Sequence, residues 1–188
     1  MYGLNNKQHM KKIILFLFAM LPLLVLAQGH KGTVESCAPT KNSKVCYSDE
    51  IEIKEASQTD LFNSIHKWAK DNYGKDVFIS SVSANKNKGT IFIGSKVELL
   101  LNDTDKTILK YKMRINCKDG GYTIELSDIT YQYNPEDEKK LKSYPAEDVI
   151  IGNGKGNKVT EIKDPLLFCN ATYFFAESLF ADVFDAAN

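Results

Sequence analysis

The sequence predicts an α+β domain, an antiparallel sheet of about five strands with two main helices packed on one face. Residues 109–117 alternate strictly between apolar and polar side chains, as in a strand with one buried face and one face in water. Two segments with apolar residues at helical spacing flank the strand patterns, one before them and one at the C-terminal end. This order is typical of a two-layer domain with its helices on one side.

Residues 10–27 have the pattern of a cleaved secretory signal: two lysines, an apolar run, then Val25 and Ala27 at the small-residue positions. The apolar run is too short to span about 30 Å of hydrocarbon as a helix. We therefore expect residues 1–27 to be a signal peptide that is cleaved before Gln28. The mature chain should be periplasmic or extracellular, with no membrane span.

Residues 28–48 are polar and show no apolar period, so we expect an irregular N-terminal arm, followed by one α+β domain over residues 49–188. The whole chain carries 24 basic and 24 acidic residues. Three of the basic residues lie in the predicted signal peptide, so the mature chain is slightly acidic. A nucleic-acid-binding domain usually has a strong basic excess, and we expect no nucleic-acid partner.

The first helix is predicted after a short strand over residues 51–53. Ser57 and Asp60 resemble a capping box, with aspartate in place of the usual glutamate, and Gly74 has the position of a left-handed stop. The last helix begins at Asp164-Pro165, an N-cap followed by proline at the first helical position. Its high content of Leu, Phe and Tyr predicts burial against the sheet.

Four further strand patterns lie between the helices, over residues 77–84, 90–102, 109–117 and 122–133. Asp119-Gly120-Gly121 predicts a tight hairpin between the last two. The apolar face changes parity at Ser127-Asp128, which predicts a β-bulge there.

All four cysteines, Cys37, Cys46, Cys117 and Cys169, lie in the predicted mature chain, where disulfides persist after export. Cys37 and Cys46 flank a short polar loop, which makes them the candidate disulfide. Cys117 and Cys169 fall on predicted core faces. They are either paired with each other or buried thiols.

The segments DLFNSIHKWAKDNYGKDVFISSVSANKNKGTIFIG and YKMRINCKDGGYTIELSDITY carry a resemblance to a known family. They resemble the secreted bacterial domain-of-unknown-function family 4468, through an early helix with a tryptophan, a glycine-led strand and a KDG hairpin. The resemblance covers about residues 50–133 and implies a TBP-like fold and export. It carries over no catalytic residue, because the family has none assigned, and a shared fold does not define a function.

One cationic stripe lies on the predicted wet face of the sheet, and Phe92 and Leu100 interrupt the polarity of that face. The stripe consists of Lys110, Lys112, Arg114 and Lys118. It is either an anion-binding surface or a solvated face that is neutralised by cross-strand pairing with Glu98 and Glu125. With Phe92, the stripe forms the candidate binding site.

The sequence contains no cluster with the spacing of a zinc site and no nucleophile-elbow motif beside its serines. A catalytic triad assembles in space rather than in sequence, so an enzyme is the third hypothesis, after the two given below. His30 and His66 lack zinc-site spacing, and the GNGKGN segment at 152–157 lacks the strand and helix of a dinucleotide fingerprint. We therefore expect a non-catalytic binding or interaction module that uses the open sheet face, and an envelope or extracellular protein fits its export. The alternative is a carrier of a small apolar ligand held between the sheet and the last helix, under Tyr173, Phe174 and Phe180.

Overall fold

The computed structural model describes residues 37–134, 136–137, 139–151 and 159–188. The predicted signal peptide, the first part of the predicted arm and the GNGKGN segment lie outside these residues. The described elements in chain order are β1 (Thr40–Lys41), β2 (Lys44–Val45), β3 (Tyr47–Glu52), α1 (Gln58–Tyr73), β4 (Ser80–Asn85), a 3₁₀ turn (Lys86–Lys88), β5 (Thr90–Leu100), β6 (Lys106–Lys118), β7 (Gly121–Tyr133), β8 (Lys142–Pro145), α2 (Ala146–Ile150) and α3 (Pro165–Ala187).

The main sheet is antiparallel, with strand order β3-β7-β6-β5-β4, and β8 pairs with the far end of β7. Both long helices cover the same face, as Tyr111 of β6 shows. Its hydroxyl donates to the hydroxyl of Tyr73 in α1 at 3.3 Å, and its ring lies 5.2 Å from the ring of Phe175 in α3. The predicted α+β fold is confirmed, with β8 as a sixth strand.

The alternation on β6 separates a core face from an open face, as predicted. Leu109, Met113 and Ile115 are buried under the helices, whereas Lys110 and Lys112 point away from them and are exposed. We use "open face" for the side of the sheet that the two long helices leave uncovered.

Helix α1 begins as the capping pattern predicts, but it ends differently. The Ser57 hydroxyl accepts from the backbone N–H of Asp60 at 3.1 Å. Gly74 ends the helix with φ of −86°, which is right-handed, so the predicted left-handed stop is wrong. Glycine fits for another reason, since a Cβ there would lie 2.6 Å from the Lys70 carbonyl oxygen.

The predicted bulge is present in β7. Lys112 of β6 pairs with Ser127 and Lys110 pairs with Thr130, so β7 has one extra residue between these pairs. Asp128 adopts φ of 51°, a left-handed conformation that aspartate tolerates better than most residues. The bulge also affects the charges of the open face, because it places the Asp128 carboxylate next to the Lys112 ammonium.

The predicted irregular arm is wrong for residues 40–48, which contain the β1–β2 hairpin and the start of β3. The predicted Cys37–Cys46 disulfide is also wrong, because Cys37 is bonded to Cys169 with the two Cα atoms 5.7 Å apart. In the hairpin, the Cys46 N–H donates to the Pro39 carbonyl at 2.9 Å. Pro39 therefore lies opposite Cys46, and Cys37 lies beyond the hairpin and reaches α3.

Cys46 and Cys117 are buried free thiols. Burial raises the pKa of Cys117 to about 11, so this group is a neutral thiol at pH 7. Within the described part of the chain, no helix is long and apolar enough to cross a membrane.

Candidate functional site

The open face is ordered by the register of β5, β6 and β7. Reading across the sheet, Arg114 lies between Glu125 and Phe92, and Lys110 lies between Thr130 and Lys96. Side chains that are directly opposite in an antiparallel pair have Cβ atoms about 5 Å apart on the same face. The register therefore determines which charges on this face meet.

Some cations of the predicted stripe are neutralised by ion pairs. The Lys112 ammonium lies 2.8 Å from the Asp128 carboxylate, and Lys44 of the β1–β2 hairpin lies 3.4 Å from the same carboxylate. Lys118 pairs with Glu50 at the far end of β6. The hydrogen bond that Asp128 accepts from Lys112 holds the pKa of the Asp128 carboxyl below its usual range. Exposed pairs of this kind contribute about 0–1 kcal/mol each.

The acids expected to neutralise the stripe pair with other lysines. The Glu125 carboxylate, although opposite Arg114 in the register, lies 2.5 Å from Lys41 of the hairpin. Glu98 lies 3.0 Å from Lys106. The open face is therefore partly salt-paired, but among the described residues neither Lys110 nor Arg114 of β6 has an ion pair.

Arg114 instead stacks on Phe92. Its guanidinium carbon lies 4.9 Å from the centre of the Phe92 ring, which is 40% exposed. A cation over an aromatic face at an exposed site gains about 0.5–1 kcal/mol. The pair lines a shallow depression of about 320 Å³ with Ser81 and Ser83 of β4. The stacked Arg114 and Phe92 therefore present a positive charge and an exposed apolar ring next to the lysines.

Lys96 and Lys110 are directly opposite each other, and neither has an ion pair within the described residues. Like charges at opposed positions destabilise a sheet locally. Both line a groove of about 630 Å³ together with Lys44 and Lys112, and Phe78 lies at its rim with 89% of its surface exposed. We call these four lysines the lysine groove. An anionic group placed there would remove the repulsion between Lys96 and Lys110.

The structure brings together four of the five predicted site residues. Lys110 and Lys112 line the groove, and Phe92 and Arg114 lie beside it, whereas Lys118 is at the other end of the strand. Sequence reasoning missed Lys44 and Lys96 of the lysine groove, and Phe78 beside them. Lys96 lies four residues after Phe92 on β5, so the alternation of a strand places both side chains on the same face. This pattern could have identified Lys96. Lys44 lies in the β1–β2 hairpin, whose strands are too short to show an alternating pattern in the sequence.

The three aromatic residues of the predicted carrier site, Tyr173, Phe174 and Phe180, are not buried together between α3 and the sheet. Phe174 is 64% exposed, and Tyr173 and Phe180 are only half-buried. The helix packs on the sheet through another stripe: the Tyr131 and Thr172 hydroxyl oxygens are 2.7 Å apart, and the rings of Tyr131 and Phe168 are 5.0 Å apart.

His66 packs its ring 5.3 Å from that of Phe62 on the same helix. Partial burial, with the nearby Lys70 charge, lowers the pKa of His66. Among the described residues, no group of three or more His, Cys, Asp or Glu side chains is placed to hold a metal ion.

Fold and site together define a small disulfide-bonded α+β domain with helices on one sheet face and a cationic groove on the other. A family model described as a domain of unknown function (DUF4468) with TBP-like fold matches residues 47–132. The chain belongs to this family.

Two solved structures are similar to this chain. A TBP-like protein from Parabacteroides distasonis is 68% identical, with a TM-score of 0.77, over 80% of this chain and 97% of that chain. A DUF4468 family protein from Bacteroides ovatus has a TM-score of 0.69 over 82% of this chain and 92% of that chain. At 24% identity, the second likeness concerns the fold alone. A comparison with curated proteins found no match.

Proposed function

We propose that this chain is an exported, non-catalytic binding module, and that its lysine groove binds an acidic segment of an envelope or extracellular protein. The observation that carries the proposal is the opposed pair Lys96 and Lys110, which lacks acidic partners within the described residues. A surface that only needed to be soluble would gain stability from an acid at either position.

The surroundings of this pair specify the chemistry of the partner. The cations favour carboxylates, and the exposed ring of Phe78 at the rim offers an apolar contact beside them. Arg114 on Phe92 extends the same combination of charge and ring along the sheet. An acidic segment with an aromatic or aliphatic residue next to its carboxylates matches both features.

Export is supported by two independent features. The signal pattern of residues 1–27 predicts release of a mature chain that begins at Gln28. The Cys37–Cys169 disulfide is compatible with the oxidising compartment that this chain would then enter.

The test is capture from the envelope and culture-supernatant fractions of the source bacterium, with the mature protein immobilised. The groove variant K96E/K110E is compared with K54E/K70E, which makes the same charge change at exposed positions in the β3–α1 turn and on α1. Reversal of two contacting charges should weaken binding by about tenfold or more.

A partner retained by the wild type and by K54E/K70E, but lost by K96E/K110E, supports the groove. Equal retention by all three proteins would refute it, and equal loss from both variants would indicate a general effect of net charge. A partner whose binding is unaffected by 0.5 M salt would also contradict the proposal, because exposed charge contacts are screened at that ionic strength.

A further inference from the structure

Among the described strands, β4 is a terminal strand of the main sheet, and one side of its backbone pairs with no other strand. The Lys96 N–H donates to the Ile79 carbonyl at 3.2 Å, and Ser80 lies opposite Ser95. Backbone groups alternate in direction along a strand, so those of residues 81, 83 and 85 face β5. Those of Ser80, Val82 and Ala84 therefore face outward.

Most of these outward groups have no protein partner within the described residues. The Ser80 N–H donates to the Asp76 carbonyl at 2.9 Å, so it is satisfied. The N–H groups of Val82 and Ala84 remain as two free donors on the edge, with free carbonyls beside them. Such an edge is a template for another strand.

The other described edges of this sheet carry the features that normally prevent such pairing. β3 contains three acidic residues, and β8 contains Lys142 and Pro145. β4, with the sequence SSVSAN, has neither a charge nor a proline. Edge strands are usually protected by charges, prolines or bulges, and β4 lacks all three kinds.

We propose that β4 pairs antiparallel with β4 of a second copy of this chain, around a two-fold axis at Val82. Each Val82 N–H donates to the Val82 carbonyl of the other copy, and each Ala84 N–H donates to the Ser80 carbonyl of the other copy. This register uses both free donors of each chain and leaves the Ser80 N–H with Asp76. It also brings the two half-buried Val82 side chains into contact on the helix side, which the alternative register around Ser83 does not.

The ends of β4 are complementary in this arrangement. Antiparallel pairing places the start of one β4 beside the end of the other. Residues 77–79 before the strand are exposed and apolar, with Val77 81% exposed, and the cationic turn Lys86–Lys88 follows the strand. The methylene stems of these lysines can cover Val77 of the other copy while their ammonium groups stay in water. A two-fold interface contains this contact twice.

The test is sedimentation equilibrium of the exported wild-type protein between 1 and 200 μM, a range suited to weak association. Ser81 and Ser83 are exposed on the open face, and in the proposed register each lies opposite the other across the interface. The variant S81K/S83K therefore opposes like charges twice, and it should weaken the dimer by roughly tenfold. The variant S81K/S83E places a lysine opposite a glutamate twice and should dimerise at least as tightly as the wild type.

A third variant, Ala84→Pro, removes one outward N–H without adding charge and leaves the bonds to β5 in place, so it should also weaken the dimer. Equal thermal denaturation midpoints at 1 μM show that the variants are folded. A wild type that is monomeric at every concentration would overturn the proposal, as would a dimer that all three variants leave unchanged. A dimer that S81K/S83E weakens as much as S81K/S83K would overturn the Val82 register.

Discussion

Removing the Cys37–Cys169 disulfide should have a large effect on stability. The bond closes a loop with a sequence separation of 132 residues. In the chain-entropy treatment, a loop of that length contributes about 5 kcal/mol at 25 °C by restricting the unfolded chain. The short loop between Cys37 and Cys46 would contribute only about 2.5 kcal/mol. The free energy of unfolding of C37A/C169A should therefore be about 4–5 kcal/mol lower than that of the wild type.

The assay is urea unfolding of the disulfide-bonded protein, monitored by tryptophan fluorescence at pH 7. Adding a reductant to the wild type should reproduce the loss, and it should not affect C37A/C169A. The double variant C46A/C117A is the matched control, because both thiols are buried and unbonded. Its loss should be smaller, about 1–3 kcal/mol, from lost packing alone.

Two results would refute this reasoning. A loss below about 1.5 kcal/mol for C37A/C169A would mean that the bond hardly restricts the unfolded state. Mass spectrometry of non-reduced peptides that joined position 37 to position 46 would show that the long loop is not closed at all.

Three further predictions concern the core, a turn and the bulge. Thr172→Val should cost about 1–3 kcal/mol in unfolding experiments, because the buried Tyr131 hydroxyl loses its partner; a cost below 0.5 kcal/mol would contradict this. Gly121→Ala should destabilise far more than Gly120→Ala, because a Cβ at 121 would lie 2.1 Å from a β3 carbonyl oxygen, whereas a Cβ at 120 meets nothing within 4 Å; equal thermal denaturation midpoints would contradict it. Asp128→Asn should cost up to about 1 kcal/mol at pH 7. The folded-state pKa of Asp128 is depressed, so this stabilisation is present above pH 4 and disappears as the pH falls through the folded pKa; urea titrations at pH 7 and pH 2.5 test it.

Local patterns predicted the parts of this fold that local interactions determine. The alternation along β6 identified the open face, since a side-chain period of two depends only on neighbours in the chain. Ser57 identified the start of α1, and the parity change identified the bulge at Asp128. Both features depend on residues that are close together in the chain. Gly74 shows the limit, because a crowded carbonyl oxygen rather than a positive φ requires glycine there.

The parts that sequence reasoning missed depend on contacts between distant segments. Strands β1 and β2 have two residues each, too few to show a period. The pairing of Cys37 with Cys169 follows from where α3 packs, and four cysteines permit three pairings. The opposition of Lys96 and Lys110 follows from the β5–β6 register, which no single strand reveals. The sequence therefore predicts individual residues of the groove, but it does not predict that they lie together on the folded sheet.

The Cys37–Cys169 bond also imposes an order of events on biosynthesis. Ribosomes make the chain from its N-terminus, so Cys37 appears with Cys46 and Cys117 well before Cys169 is synthesised. If the chain crosses the membrane as it grows, the early thiols meet oxidants while their correct partner is still missing. Pairs formed at that time must be exchanged later by thiolate attack. For a chain exported in this way, maturation would depend on a thiol-exchange catalyst or on oxidation that is delayed until α3 has crossed the membrane.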